Sequence, residues 1–158
     1  MDEIDSRVID LFAAEPRIGV LEASRRLGVA RGTVQARLDK LGAVGVNTGW
    51  GPDLSPEAIG FPVMAFLTLE IRQGSADRGG HETVAAHLAE IPEVLEAYTI
   101  TGAGDMWARV VARSNADLQR VIDLVLTDPG IDRSTTVIAL ASQVPHRVLP
   151  LARAAARS

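Results

Sequence analysis

The sequence predicts an α+β protein: an N-terminal helix-turn-helix (winged-helix-like) domain followed by a C-terminal ferredoxin-like β-α-β-β-α-β domain. Three observations lead there. Residues 20–41 hold two short amphipathic helical segments about a tight turn at Gly28-Val29. Residues 42–52 contain four glycines and a proline, which no helix interior accommodates. From Val63 onward strands and helices alternate in the order strand, helix, strand, strand, helix, strand.

The elements follow in order. Asp2 to Ala14 reads as a helix with Ile4, Val8, Leu11 and Phe12 as its apolar stripe, an N-cap at Asp2 or Asp5, and a stop at Glu15-Pro16. Leu21, Ala23 and Leu27 supply the apolar side of the second helix; Val34, Leu38 and Leu41 fall at i, i+4 and i+7 in the third. The glycine-rich stretch fits a short wing or extended strand, then a linker ending near Gly60-Phe61-Pro62, with Trp50 needing a surface to cover it. Val63–Ile71 is a strand whose inward face is Val63, Ala65, Leu67, Leu69 and Ile71. Residues 72–80 read as a polar loop, His81–Ile91 as a helix, Val94–Thr101 and Met106–Arg113 as a hairpin about Gly102-Ala103-Gly104-Asp105. A helix capped at Ser114-Asn115-Ala116-Asp117 runs to about Leu126, and Ile131–Val144 is the last strand. The tail from Pro145 is expected to fray, with a short helix over a neighbouring subunit as the alternative. The expected domains are 1–46, a linker strand 47–62, 63–144, and the tail 145–158. Two helices cover one face of such a sheet, so the other face must find a partner, which argues for a homodimer.

The net charge of −4 is unevenly spread. Residues 1–50 carry seven acidic and seven basic side chains, residues 51–144 carry thirteen and six, and the last fourteen add three arginines. Such a division suits a protein of which one part meets phosphate. The absence of cysteine excludes disulfides, thiol nucleophiles and zinc–thiolate sites. No signal peptide or membrane span is read, so the expected location is cytoplasmic, with no membrane partner.

A helix-turn-helix would place residues 31–41 in the major groove of double-stranded DNA. With Val34, Leu38 and Leu41 inward, base edges are left to Arg31, Gly32, Thr33, Gln35 and Ala36; Arg31 suits guanine and Gln35 adenine. Arg25, Arg26, Arg37 and Lys40 are better placed for phosphates, although Arg37 is equally able to pair with Glu22 or Asp39. The bland reading is a surface helical hairpin with solvated arginines.

The sequence resembles the Lrp/AsnC (feast/famine) family of transcription regulators over nearly its whole length. Asp2–Ile9 is similar to that family's first helix, and Leu38, Leu41, Gly45 and Val46 to the exit of its recognition helix. Ser55–Gly60 resembles its linker, Ile91–Tyr98 its "L-P-E-V-x-x-x-Y", and Thr101–Asp105 its "T-G-x-x-D". The resemblance implies a dimer built through the sheets, often an octamer of four dimers. It also implies an amino acid or similar small effector near residues 98–106, with Tyr98, Thr101, Gly102, Ala103, Gly104 and Asp105 at the turn and Ser134 and Thr136 lining the pocket. The chemistry of the turn agrees: glycines admit close approach, their N–H groups suit a carboxylate, and Asp105 suits an α-ammonium. A plain hairpin turn is the alternative. No cofactor or metal is implied.

The sequence also departs from the family. Ala103 stands where an Asp is usual, and Ala30 replaces the usual Ser N-cap at a cost of about 1 kcal/mol. Gly32 inside the helix costs roughly 0.5–1 kcal/mol more. Asn47 replaces an apolar residue and Pro52 removes a donor. Two rival readings remain: a ligand-binding or assembly module that has lost DNA binding, and an enzyme, since some haem-pathway decarboxylases share this architecture. His81, His87 and His146 are scattered, and no nucleophile–base pair is evident, which disfavours the enzyme.

Overall fold

A reciprocal pair of carboxylates starts the first helix. In the computed structural model, which describes residues 1–72 and 80–156, α1 spans Glu3–Ala14. Asp2 accepts from the Asp5 N–H and Asp5 from the Asp2 N–H, at 2.9 and 3.1 Å. α2 (Val20–Leu27) ends on Gly28, whose φ of 68° turns the chain into the next helix. α3 spans Arg31–Ala43, and its N-cap residue Ala30 makes no side-chain bond. Val8, Ala23, Leu27, Val34 and Leu41 form the core of this unit, with Leu38 half-buried beside them.

Two local features differ from expectation. Leu21 is 52% exposed, because the inward stripe of α2 runs from Val20 through Ala23 and Ser24 to Leu27. The Ser24 hydroxyl, buried on that stripe, donates to the Leu21 carbonyl at 2.8 Å. Residues 44–62 form turns and no strand: the chain folds back on α3, with the N–H groups of Val46 and Asn47 both donating to the Leu41 carbonyl. Trp50 meets Phe12 edge-on at 5.7 Å.

The second unit, Asp53–Gln143, consists of β1 (Val63–Ile71), α4 (Gly80–Ala89), β2 (Val94–Thr99), β3 (Met106–Ala112), α5 (Asn115–Val125) and β4 (Ile131–Ile138). The strands form one antiparallel sheet in the order β2-β3-β1-β4. Alternation along β1 turns Ala65, Leu67, Leu69 and Ile71 toward Val84 and Leu88 of α4 and Leu118, Val121 and Val125 of α5. Ser114 caps α5 by accepting from the Asp117 N–H. The loop expected at 72–80 lies, apart from its ends, outside the described residues. β4 stops six residues short of Val144, for a simple reason: its neighbour β1 begins only at Val63, after Pro62. Ala139 donates to Met64, and beyond it there is no ladder to join.

The chain from Val144 belongs to the same compact unit as Met1–Pro52. Part of it is helical rather than frayed: α6 (Leu149–Ala155) carries Pro150 in its first turn, and Arg153 Nε donates to Asp10 Oδ1 of α1 at 2.7 Å.

The uncapped start of α3 yields a direct test. Ala30→Ser supplies the missing acceptor and is expected to stabilise the helix-turn-helix unit by about 1 kcal/mol, read as a higher urea midpoint at unchanged slope. No gain would mean that the N–H groups at the start of α3 already have partners.

Candidate nucleic-acid interface and effector turn

Each basic residue around α3 has a different fate. Arg31 is exposed at the first helical position and makes no ion pair among the described residues. Gly32 beside it has open space where a side chain would stand. Thr33 is half-buried, while Gln35 and Ala36 are exposed. Gln35 Nε2 donates to Asp39 Oδ1 at 2.8 Å. On α2, Arg25 lies 3.6 Å from Glu22 and stays largely exposed, whereas Arg26 is held by Glu15 and Glu22.

Arg37 and Lys40 turn to α1 instead. Arg37 Nη1 bonds Asp2 and Asp5, the latter at 3.0 Å, and Lys40 Nζ bonds Asp5 at 3.0 Å. Neither Glu22 nor Asp39 is the partner of Arg37. Asp5 has no exposed area at all, so its carboxylate must be paired to remain charged. Burial pushes its pKa up, but the Asp2 N–H, Lys40 and Arg37 more than offset this and hold it below the ordinary carboxylate value. The Asp5 N–H chiefly, aided by Arg37, lowers the pKa of Asp2 as well. Sequence reasoning missed this cluster. Its one signal was a pair of acids at i, i+3 in the first turn, which explain a cap without calling for arginine and lysine.

In the sheet unit the residues of the effector turn are held by backbone. Gly102 and Gly104 have φ of 109° and 96°, conformations that side chains resist. A Cβ on Gly104 would stand 2.4 Å from Thr68 Cγ2 and 3.3 Å from the Leu69 carbonyl. The Asp105 N–H donates to that carbonyl at 2.8 Å, and its Oδ2 accepts from the Ile71 N–H at 2.7 Å, at the point where the register of β1 and β4 shifts. One carboxylate oxygen is therefore engaged in the fold. Oδ1 has no partner among the described residues, as the hydrogen bonds stand. Thr101 and Ala103 are exposed at the rim.

Ser134 pairs in register with Leu69, and Thr136 with Leu67. Both therefore share the helix-covered face and approach the end of β1 that the turn grips. Ser134 Oγ is buried without a hydrogen-bond partner among the described residues, which is unusual for a hydroxyl. Tyr98 does not join them. It lies across from Trp107 on the opposite, open face, where its hydroxyl donates to Glu96 at 2.7 Å. Phe66 stacks on Trp107 at 5.2 Å on the same face. The Glu96 carboxylate, which favours the protonated phenol, raises the Tyr98 pKa.

A helix-turn-helix unit with an exposed reading edge, joined to a ferredoxin-like unit with a glycine-built turn, defines a DNA-binding, ligand-responsive class of protein. Comparison with known proteins gives the same division. Residues 1–41 match the AsnC-type helix-turn-helix domain and residues 64–149 the Lrp/AsnC ligand binding domain. The HTH-type transcriptional regulator FL11 of Pyrococcus horikoshii is 29% identical over 151 residues, covering 96% of this chain and 97% of that protein. The regulatory protein AsnC of Escherichia coli is 27% identical, covering 95% and 97%. Its solved structure superposes with a TM-score of 0.84 over 95% of this chain and 99% of that one, at 26% identity. A feast or famine regulatory protein from M. tuberculosis, complexed with L-methionine, gives 0.80 over 93% and 97%, at 26% identity. The chain belongs to the Lrp/AsnC family of transcription regulators. Among the described residues no helix is long and apolar enough to cross a membrane.

Two outcomes follow from this geometry. Because Asp5 has a lower pKa folded than unfolded, the unfolded chain takes up the proton first as pH falls. The stability from its pairing is complete above about pH 4 and is lost as pH falls through the folded value. Asp5→Asn is expected to flatten this acid limb and to cost about 1.5–3 kcal/mol at neutral pH, measured by urea unfolding between pH 2 and 7. An unchanged acid limb would show that Asp5 is not the group responsible. Gly104→Ala adds backbone strain and a collision with Thr68, and is expected to destabilise the sheet unit by roughly 2 kcal/mol or more. A loss under 0.5 kcal/mol (about the noise of a surface change) would mean that the turn relaxes freely.

Proposed function

We propose that this protein is a cytoplasmic regulator that reads operator DNA through α3 and changes its assembly or DNA binding when an amino acid occupies the turn at 101–105. The observation that carries the DNA reading is the division of α3: Val34 and Leu41 are buried, whereas Arg31, Gly32, Gln35 and Ala36 face outward. Base contacts fall to Arg31, Thr33 and Gln35, with Arg25 and Arg26 nearest to serving phosphates. Arg37 and Lys40 act chiefly by fixing α3 to α1, since Asp5 holds both.

The effector reading is supported by three groups at one end of β1. The glycine turn offers backbone N–H groups, Asp105 keeps one oxygen for an α-ammonium, and Ser134 holds a hydroxyl without a partner among the described residues. A relative's complex with L-methionine supports the choice of an amino acid. The second copy needed for a dimer has a surface in the open sheet face, where Phe66, Trp107 and Tyr98 form an aromatic group; the further dimers of an octamer would meet near the turn at 98–106.

Native mass spectrometry with a panel of amino acids tests binding and assembly together. Asp105→Asn is the informative variant, because its amide oxygen still accepts from Ile71 while the charge is gone. The expected result is an intact dimer that no longer responds to any amino acid. A full response from Asp105→Asn, or no amino acid bound by the unmodified chain, contradicts the effector reading.

A further inference from the structure

Arg31, Gln35 and Asp39 stand at i, i+4 and i+8 on α3 and are all exposed, so they form one outward stripe. Asp39 is the odd member. Among the described residues it makes no ion pair, and its one hydrogen bond is the one that it accepts from Gln35 Nε2 at 2.8 Å. The nearby cations do not neutralise it, because Arg37 and Lys40 are bonded to α1. An unpaired carboxylate on a helix face that meets DNA repels phosphate and lowers affinity. Its presence there calls for a gain elsewhere.

The geometry points to Asp39 as the positioning residue that makes Gln35 discriminate adenine from guanine. The inference rests on the reading of α3 as the DNA-contacting helix. A free glutamine amide turns over and offers either end to a base. A carboxylate only accepts, so Asp39 fixes the NH2 group toward itself and takes one of its two hydrogens. What remains for the base is one donor beside one acceptor. Adenine presents the matching pair in the major groove, N7 as acceptor and the N6 amino group as donor. Guanine presents two acceptors, N7 and O6, and meets the Gln35 Oε1 with its own oxygen. Without Asp39 the amide regains its second hydrogen and is able to turn both toward guanine.

The test uses the full chain and a randomised double-stranded DNA library. The base position read by Gln35 is the one whose preference is lost in Gln35→Ala. At that position the unmodified protein is expected to favour adenine over guanine by about tenfold or more, within the range of one bidentate contact. Asp39→Ala keeps an exposed helix position filled by the best helix former. It is expected to reduce the ratio to about threefold or less, in the range where little of a bidentate contact's discrimination is left, while affinity for the adenine site holds or rises. Asp39→Glu, with a carboxylate still in reach, restores the ratio. If Asp39→Ala raises affinity for both sites equally and keeps the ratio, Asp39 is only a charge and the inference is overturned alone. If the unmodified chain selects no sequence, the DNA reading itself falls, and this inference with it.

Discussion

A carboxylate with no exposed area, Asp5, joins the first helix to the third. It receives the Asp2 N–H, Lys40 Nζ and Arg37 Nη1, so burial is offset by three donors, two of them charged. Everything on the outer side of α3 depends on this choice. Two of the five basic residues of the 20–41 segment, Arg37 and Lys40, are bonded to α1 and tie the helix to it. A third, Arg26, is held by Glu15 and Glu22. What is offered outward is narrower than the arginine count suggests: Arg31, the backbone at Gly32, Thr33, and Gln35 held by Asp39. On the proposed reading of α3, such a surface would suit base contacts more than phosphate contacts, and one copy of it would bind weakly. Presenting several copies in register would then fall to the sheet unit.

The sheet unit reaches its site by the same economy of means, through backbone rather than side chains. The turn at 101–105 is gripped by β1, through the Leu69 carbonyl and the Ile71 N–H, and only glycine fits where Gly104 passes Thr68. Asp105 thus serves the fold with one oxygen, and the other has no partner among the described residues. Because β1 lies between β3 and β4, it carries the turn on one side and Ser134 on the other. An effector bound there would touch both sides of one central strand.

Much of this was legible in the sequence, and the rest was not for identifiable reasons. The alternation Val63–Ile71 and the capping residue Ser114 are local signals, so the strands and helices of the sheet unit fall within a few residues of expectation. Gly28 marks the helix turn for the same reason. The end of β4 was misjudged because apolar residues continue to Val144, and strand length depends on where the partner strand begins. Leu21 was misplaced by a single position of helical phase: Val20 and Ser24 pack where Leu21 was expected. The tail's helix is short, and its tie to α1 pairs residues 143 positions apart, Asp10 and Arg153, which no window of sequence reveals. Among site residues, the turn glycines could be read locally. The opposite facing of Tyr98 and Ser134 required strand register, and the capture of Arg37 by Asp5 required tertiary placement.

Arg37, bonded to Asp2 and Asp5, is held for the fold rather than left for a phosphate. The salt dependence of operator binding by Arg37→Gln tests it most directly, because each phosphate contact contributes about 0.9 to the slope of log K against log salt. An unchanged slope is expected, with a lower unfolding midpoint for the helix-turn-helix unit. A slope reduced by about 0.9 for each copy on the DNA, at unchanged stability, would contradict it.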